Sequence, residues 1–388
     1  MGFTLTKERL LHDLYIAFYD ARKHKASKSC VVEFERNLKS NLEELCDSLY
    51  ERKYTPLPSN CFIVNYPKKR EIFAARFRDR VVHHLYYNYT SNLFERTFVQ
   101  DSYSCIKGRG THYGIKRLQS HIKKASQNYT NDCYVLKLDI RGYFMNINRN
   151  ILNEVSRKTI LKMSKHKVSR HGMLRWCDIM DVDFVLWLTS TIVMLDPTIG
   201  CNFASKKSEW IGLERNKSLF WTASCCGLPI GNLTSQLFSN VYLNAFDQFV
   251  KRKLKIKHYG RYVDDAYVVL FDKGLVQKLS MCMRKYLKEK LELDLHMGKL
   301  RFLNARHGVE FLGGYTKPFR TYLSSRTLER VKNRLIGKDD GLLETINSYL
   351  GMMRHYSSFN LRYNLFINKR YVTKASFDKN VTKIVMAA

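Results

Sequence analysis

The chain has 388 residues, 45% of them hydrophobic, which excludes a disordered chain and allows two or three domains or one large enzyme with subdomains. Its 66 basic and 35 acidic side chains give a formal charge of +31, an excess that repels itself unless a polyanion neutralises it. With 13% aromatic residues, mostly Tyr and Phe, nucleic acid is the first partner to expect, ahead of a membrane surface, for which no basic amphipathic helix is clearly suited.

Ten cysteines without a C-x-x-C pair, and no signal peptide, predict free thiols in a reducing, cytoplasmic compartment. The longest apolar stretch, Phe184 to Leu195, holds Thr189, Ser190 and Thr191 and is shorter than the roughly 20 residues that span a bilayer.

In chain order, residues 1–55 read as two helices. Leu10, Leu11, Leu14, Tyr15 and Phe18 fall at helical spacing, as do Phe34, Leu38, Leu42, Leu45 and Leu49, with a basic break at Arg22–Ser29. Core-facing scaffold helices are the plainer reading. Pro56 and Pro58 close this unit.

From Phe62 to Arg80 a strand-like FIV leads to a turn at Pro67, followed by Lys68, Lys69, Arg70, Arg76, Arg78 and Arg80. Strand alternation puts Arg70, Arg76, Arg78 and Arg80 on one side, with Ile72 as a break. Such a fork suits a triphosphate; a basic face against a nucleic acid backbone is the equal alternative for any one residue. Val81–Tyr89 then starts a helix, and a Gly-rich basic loop, Lys107–Thr111, precedes another at 112–125.

Val135 to Asn148, VLKLDIRGYFMNIN, is an apolar strand that delivers Asp139 and then Tyr143 and Phe144. Taken alone, Asp139 reads equally as a cap or turn residue. Residues 150–220 say least; Phe184–Leu195 is a buried helix or strand, and Asp196–Gly212 a loop longer than ordinary connections. In GLPIGNLTSQLFSNVYLN, Gly227, Pro229 and Gly231 make a turn before a helix through Leu237, Val241 and Ala245.

Tyr259 to Phe271, YGRYVDDAYVVLF, reads as two strands with Asp264 and Asp265 in the tight turn between them. An arbitrary Asp-Asp reads first as a plain hairpin turn. A third acid at a strand end changes that, because carboxylates on a stiff support suit two hard divalent cations. Leu275–Leu291 follows as a basic amphipathic helix, then Lys299 within LDLHMGKLRFL, then a short strand and glycine turn in EFLGGY. Ser324–Phe366 has helical spacing and reads as a separate basic module, with a loosely ordered tail from Asn368.

Asp139, Gly231, Y-V-D-D, Lys299 and F-L-G-G, in this order, resemble the palm of a reverse transcriptase, and the resemblance covers Phe62 to Phe359. It implies an α+β right-hand polymerase: an N-terminal helical extension at 1–55, fingers at 56–135, a palm of antiparallel sheet and helices at 136–323 with an insertion at about 150–225, and a helical thumb with tail at 324–388. Most relatives carry Gln-Gly-x-x-x-Ser-Pro where this chain has Ile230-Gly231-Asn232-Leu233-Thr234-Ser235-Gln236. The I-G-x-x-x-S-Q form looks like the polymerases of diversity-generating retroelements, which copy a template RNA with errors at adenines. Tyr349-Leu350-Gly351 and the following HYSSFNLR resemble the thumb of the same group.

The resemblance implies that Asp139, Asp264 and Asp265 bind two magnesium ions, with manganese as the alternative, aided by the main-chain carbonyl of Ile140. It implies that Lys299 protonates leaving pyrophosphate, and that Phe144 excludes a 2′-hydroxyl. Lys69, Arg70, Arg76, Gly231 and Gln236 fall in the nucleotide-binding stretches, and Phe311, Leu312, Gly313 and Gly314, with Tyr315, in the primer-positioning one. Ile230 cannot make the hydrogen bonds of a glutamine amide, a loss expected to loosen geometric selection in keeping with low fidelity, though it gives no reason for adenine in particular. The implied partners are template RNA, the cDNA/RNA hybrid, deoxynucleotides and a small basic accessory protein forming an oligomeric ring. The rivals are a group II intron, retron or phage-defence reverse transcriptase, a non-catalytic nucleic-acid-binding scaffold, and an RNA-directed RNA polymerase, which Phe144 and Y-V-D-D disfavour.

Overall fold

The computed structural model describes residues 3–66, 68–169, 172–335, 342–368 and 375–387. In chain order the helices are α1 (Lys7–Arg22), α2 (Ser29–Arg36), α3 (Leu38–Tyr50), α4 (Phe77–Glu95), α5 (Thr111–Ala125), α6 (Tyr143–Asn146), α7 (Arg149–Ser164), α8 (Val182–Val193), α9 (Leu233–Gln248), α10 (Leu275–Leu291), α11 (Ser325–Leu335), α12 (Leu342–Met353) and α13 (Phe359–Tyr363). The strands are β1 (Asn60–Val64), β2 (Arg70–Ala74), β3 (Tyr134–Asp139), β4 (Asn202–Phe203), β5 (Tyr259–Tyr262), β6 (Asp265–Leu270), β7 (Arg301–Asn304), β8 (Val309–Phe311), β9 (Gly314–Lys317), β10 (Arg320–Leu323), β11 (Ala375–Phe377) and β12 (Ile384–Ala387). The chain folds into two compact units interleaved along the sequence: Met1–Gln100, Ile140–Lys253 and Cys282–Leu295 make the first, and Asp101–Asp139, Leu254–Met281 and His296–Ala388 the second.

The first unit is mainly helical. Apolar stripes of α1, α4 and α9 bury Leu10, Leu14, Phe18, Val81, Leu85, Leu237 and Val241. The predicted second helix is broken at Asn37, whose backbone (φ −118, ψ 40) separates α2 from α3. The β1–β2 hairpin is antiparallel, with β4 added in parallel on the free side of β1. Its predicted turn at Pro67 lies outside the described residues. The stretch between Phe184 and Leu195 is helical, as α8.

The extended reading of Arg76, Arg78 and Arg80 is corrected here. The strand ends at Ala74, and Arg76 caps a helix that begins at Phe77. Apolar Phe77, Val81, Val82 and Leu85 recur at helical spacing and are buried, so burial of that stripe overrides the basic alternation. Arg78 pairs with Asp79 and donates to the Thr55 carbonyl, and Arg80 donates to the Ala75 carbonyl.

In the second unit an antiparallel sheet of order β5-β6-β3-β7 buries Val135, Tyr267 and Val269 in one cluster with Leu118 and Ile122 of α5. A second sheet, β8-β9-β10, turns at Leu312–Gly313, both with positive φ (51 and 83), the signature of a two-residue hairpin. α11, α12 and α13 enclose a separate core around Val331, Ile346, Leu350 and Phe366. The expected loose tail is corrected where it is described. β11 and β12 pair antiparallel, and Val381 is buried in the same cluster; residues 369–374 lie outside the described part. All ten cysteines are free thiols, and no helix among the described residues is long and apolar enough to cross a membrane.

Candidate active site

The acids converge through strand register. β3 and β6 pair with Asp139 directly opposite Asp265, so the two carboxylates leave the sheet on the same face. The β5–β6 register pairs Tyr262 with Asp265, which makes Val263–Asp264 the two-residue turn. The expectation that both acids sit in the turn is therefore corrected by one residue: Asp264 is in it, and Asp265 opens the strand.

Val263 has φ 55, a left-handed conformation that a β-branched residue reaches only when its surroundings impose it. The imposing groups come from the segment after Gln100. The Ser104 hydroxyl accepts from Val263 N at 3.2 Å, and the fully buried Arg261 donates to the Val263 carbonyl at 2.8 Å and the Ser102 hydroxyl at 3.3 Å. Backbone bonds at 2.9 Å between Arg261 and both Asp101 and Tyr103 complete the support.

Like charges directly opposite across strands repel, and the structure carries that cost visibly. Burial, with Asp264 and Asp139 beside it, lifts the Asp265 carboxyl to about 6 against the pull of Lys137 and Lys299. Lys299, in the short turn Met297–Lys299, reaches back to Asp139 at 2.6 Å. The carboxylates are not closed into one cage; among the described residues no group of three or more His, Cys, Asp and Glu side chains is gathered tightly enough to hold an ion. The donor set fits a hard divalent cation nonetheless: three carboxylates that offer oxygen ligands only, one of them with its pKa raised mainly by burial.

Beneath the sheet lies a buried network that the sequence did not reveal. The Tyr103 and Tyr267 hydroxyls meet at 2.8 Å, His121 Nδ1 lies 3.0 Å from the Tyr267 hydroxyl, and Asp101 takes Arg117 at 2.7 Å and Tyr103 at 3.1 Å. Only Arg117 and His121, four apart on α5, offered a signal, and it is a common one.

In the first unit, Phe144 and Ile230 pack on one apolar cluster with Cys61, Phe73, Met145 and Leu219. Gly231 has φ 116, and a Cβ there would sit 3.0 Å from the Ile72 methyl, so the entrance to α9 requires glycine. The neighbouring Asn232 accepts from Ala75 N at 3.1 Å, tying that entrance to the end of β2. Gln236 lies in the first turn of α9, and Ile140 is buried and bridged to Leu295. Arg70 and Arg76 are exposed, whereas Lys69 donates to the Ile211 carbonyl at 2.7 Å. In the second unit, Phe311 to Gly314 form the β8–β9 hairpin, with Phe311 against Tyr267 and the Leu312 side chain 3.0 Å from where a Gly114 Cβ would stand.

Residues 67–315 match the family described as reverse transcriptase (RNA-dependent DNA polymerase). The chain belongs to that family of RNA-directed DNA polymerases. It is similar to Protein YkfC of Escherichia coli (strain K12), 23% identical over 315 residues, with 72% of each chain covered. Among solved structures it is similar to a telomerase from Candida albicans in complex with a fragment of telomeric RNA (TM-score 0.46, 11% identity, 80% of this chain and 55% of that one). An apo telomerase from Candida tropicalis gives a TM-score of 0.49 at 12% identity, with 80% and 56% covered. The chain thus spans little more than half the length of these telomerases.

Proposed function

We propose that this polymerase makes error-prone cDNA from a template RNA in a diversity-generating retroelement. The observation that carries the chemistry is the Asp139–Asp265 cross-strand pair, with Asp264 in the adjoining turn and Lys299 on Asp139. Ile230 in place of the usual glutamine, packed in an apolar cluster, supports the error-prone reading.

Asp139, Asp264 and Asp265 would hold the divalent cations, magnesium by default. Bound there, two such ions supply activation of the primer 3′-hydroxyl and neutralisation of phosphate charge. The chain's own work is positioning and electrostatics. The stiff β3–β6 pair fixes two carboxylates. The Val263–Asp264 turn, clamped by Arg261 and Ser104, fixes the third. Lys299 keeps an ammonium beside the acids, from which a proton passes to the departing pyrophosphate. In the first unit, Phe144 excludes a ribose 2′-hydroxyl by bulk, Arg70 and Arg76 offer guanidinium groups to the triphosphate, and Ile230 offers no hydrogen bond to the incoming nucleotide. A small basic ring-forming accessory protein is the proposed partner, with RNA bridging the two basic surfaces.

Primer extension on an RNA template, with sequencing of the products, tests this reading. Asp264→Ala plus Asp265→Ala should lower extension by more than about 100-fold, and wild-type errors should concentrate at template adenines. Faithful products would remove the diversifying role, leaving an intron, retron or defence polymerase. Extension surviving in the double variant would remove the acid assignment.

A further inference from the structure

The segment between α8 and α9 carries a surface that the polymerase site does not use. It folds onto the β1–β2 hairpin: β4 pairs with β1, buried Glu71 accepts from Trp210 Nε1 at 2.7 Å, the Ser218 hydroxyl at 2.8 Å and Leu219 N at 2.7 Å, and Leu219 enters the apolar cluster with Phe144 and Ile230. These bonds fix the backbone of the short turn Leu219–Trp221. Its outward side is aromatic and open. Trp221 is 63% exposed, Phe203 51% and Phe220 39%. The Phe203 and Phe220 rings stack at 5.7 Å with an interplanar angle of 16°, and the Arg215 guanidinium lies 4.5 Å from the Trp221 ring centroid.

Aromatic side chains left in water on a braced turn are costly unless something covers them. The surrounding charge says what. Arg215 at the Trp221 ring is exposed, as are Lys206 and Lys207, three and four residues after Phe203, while the acids of the segment are engaged: Glu209 accepts from Lys206 N, Glu214 pairs with Lys217, and Asp196 pairs with Arg149 of α7. A basic protein partner would meet like charge here. Rings interleaved with cations match bases interleaved with phosphates, and only an unpaired strand can offer its base faces to them.

We infer that Phe203, Phe220 and Trp221, with Lys206, Lys207 and Arg215, form a stacking platform for single-stranded nucleic acid, the unpaired template RNA under the reading above. The inference of template as occupant rests on that reading; single-strand binding itself does not.

The test uses the full chain in the Asp264→Ala plus Asp265→Ala background without deoxynucleotides, so that binding is read apart from catalysis. The probes are a labelled oligouridylate and a blunt RNA–DNA duplex, followed by fluorescence anisotropy. Phe203→Ala plus Trp221→Ala should weaken oligouridylate binding roughly 10- to 100-fold and leave the duplex unchanged. Trp221→Phe should keep the affinity and lose most of the tryptophan quenching that accompanies binding. Wild-type oligouridylate affinity in the double variant would overturn the platform. So would a parallel loss for oligouridylate and duplex, or loss of accessory-protein binding with RNA binding intact. Failure of primer extension in the wild-type chain would count against the polymerase reading and leave the platform standing.

Discussion

At the scale of single residues, the groups that decide behaviour are those held in states they would not choose in water. His83, on α4, is buried, and its Nδ1 has no hydrogen-bond partner among the described residues. Burial, with His84 and Arg80 nearby, pushes its pKa from 6.5 down to about 3. The sign follows. The folded chain keeps the ring neutral while the unfolded chain protonates it below 6.5, so stability is fully present above that pH and drains as pH falls toward 3. Between pH 7 and 5 the loss from this residue should be about 2 kcal/mol. Urea unfolding at the two pH values checks it. His83→Gln cannot titrate and should lose correspondingly less; an equal pH dependence in both proteins would show that the ring is charged or solvated in the folded state.

At the scale of elements, the turn that presents Asp264 behaves as a loaded piece of backbone. Valine at φ 55 costs about 1–2 kcal/mol, and glycine would return most of that, less about 0.5–1 kcal/mol of unfolded-chain entropy. Val263→Gly should therefore raise unfolding stability slightly, on the order of 0.5–1 kcal/mol. It should also slow single-turnover extension, by up to about 100-fold if the carboxylate wanders by an ångström. Slower extension without loss of stability separates positioning from folding, and unchanged extension would sink the role given to the turn. The acids themselves were legible in the sequence because catalytic chemistry demands those residue types at strand ends. Their support was not. Arg261 reads as one more cation in a basic chain, and only the tertiary fold buries it beneath Val263. The same surplus of charge misled at Arg78 and Arg80, where basic alternation imitated a strand and the apolar stripe of α4 decided otherwise. β11 and β12 were invisible because strands that short carry almost no periodicity.

At the scale of the whole molecule, the chain passes between its two units five times, and the acid pair depends on that threading. Asp139 ends one segment of the second unit, and Asp265 lies in the next, after the long excursion of Ile140–Lys253. Their opposition across β3 and β6 therefore exists only once the chain has returned from that excursion. A charge of +31 works against such compaction, since each returning segment brings like charge home. The excess has a use only if the folded molecule meets a polyanion. Affinity for an RNA–DNA hybrid should accordingly be governed by counterion release. With about six to ten phosphates engaged, it should fall by roughly 10³- to 10⁵-fold between about 50 and 200 mM salt. Extension rates at saturating template should change far less, because the acid pair and its turn are partly buried and screened less than surface charge. Anisotropy titrations across that salt range, paired with single-turnover extension, measure both. A shallow salt slope would mean that the positive charge serves something other than holding the duplex. A collapse of the saturated rate with salt would mean that surface charge, and not the braced carboxylates, positions the reacting groups.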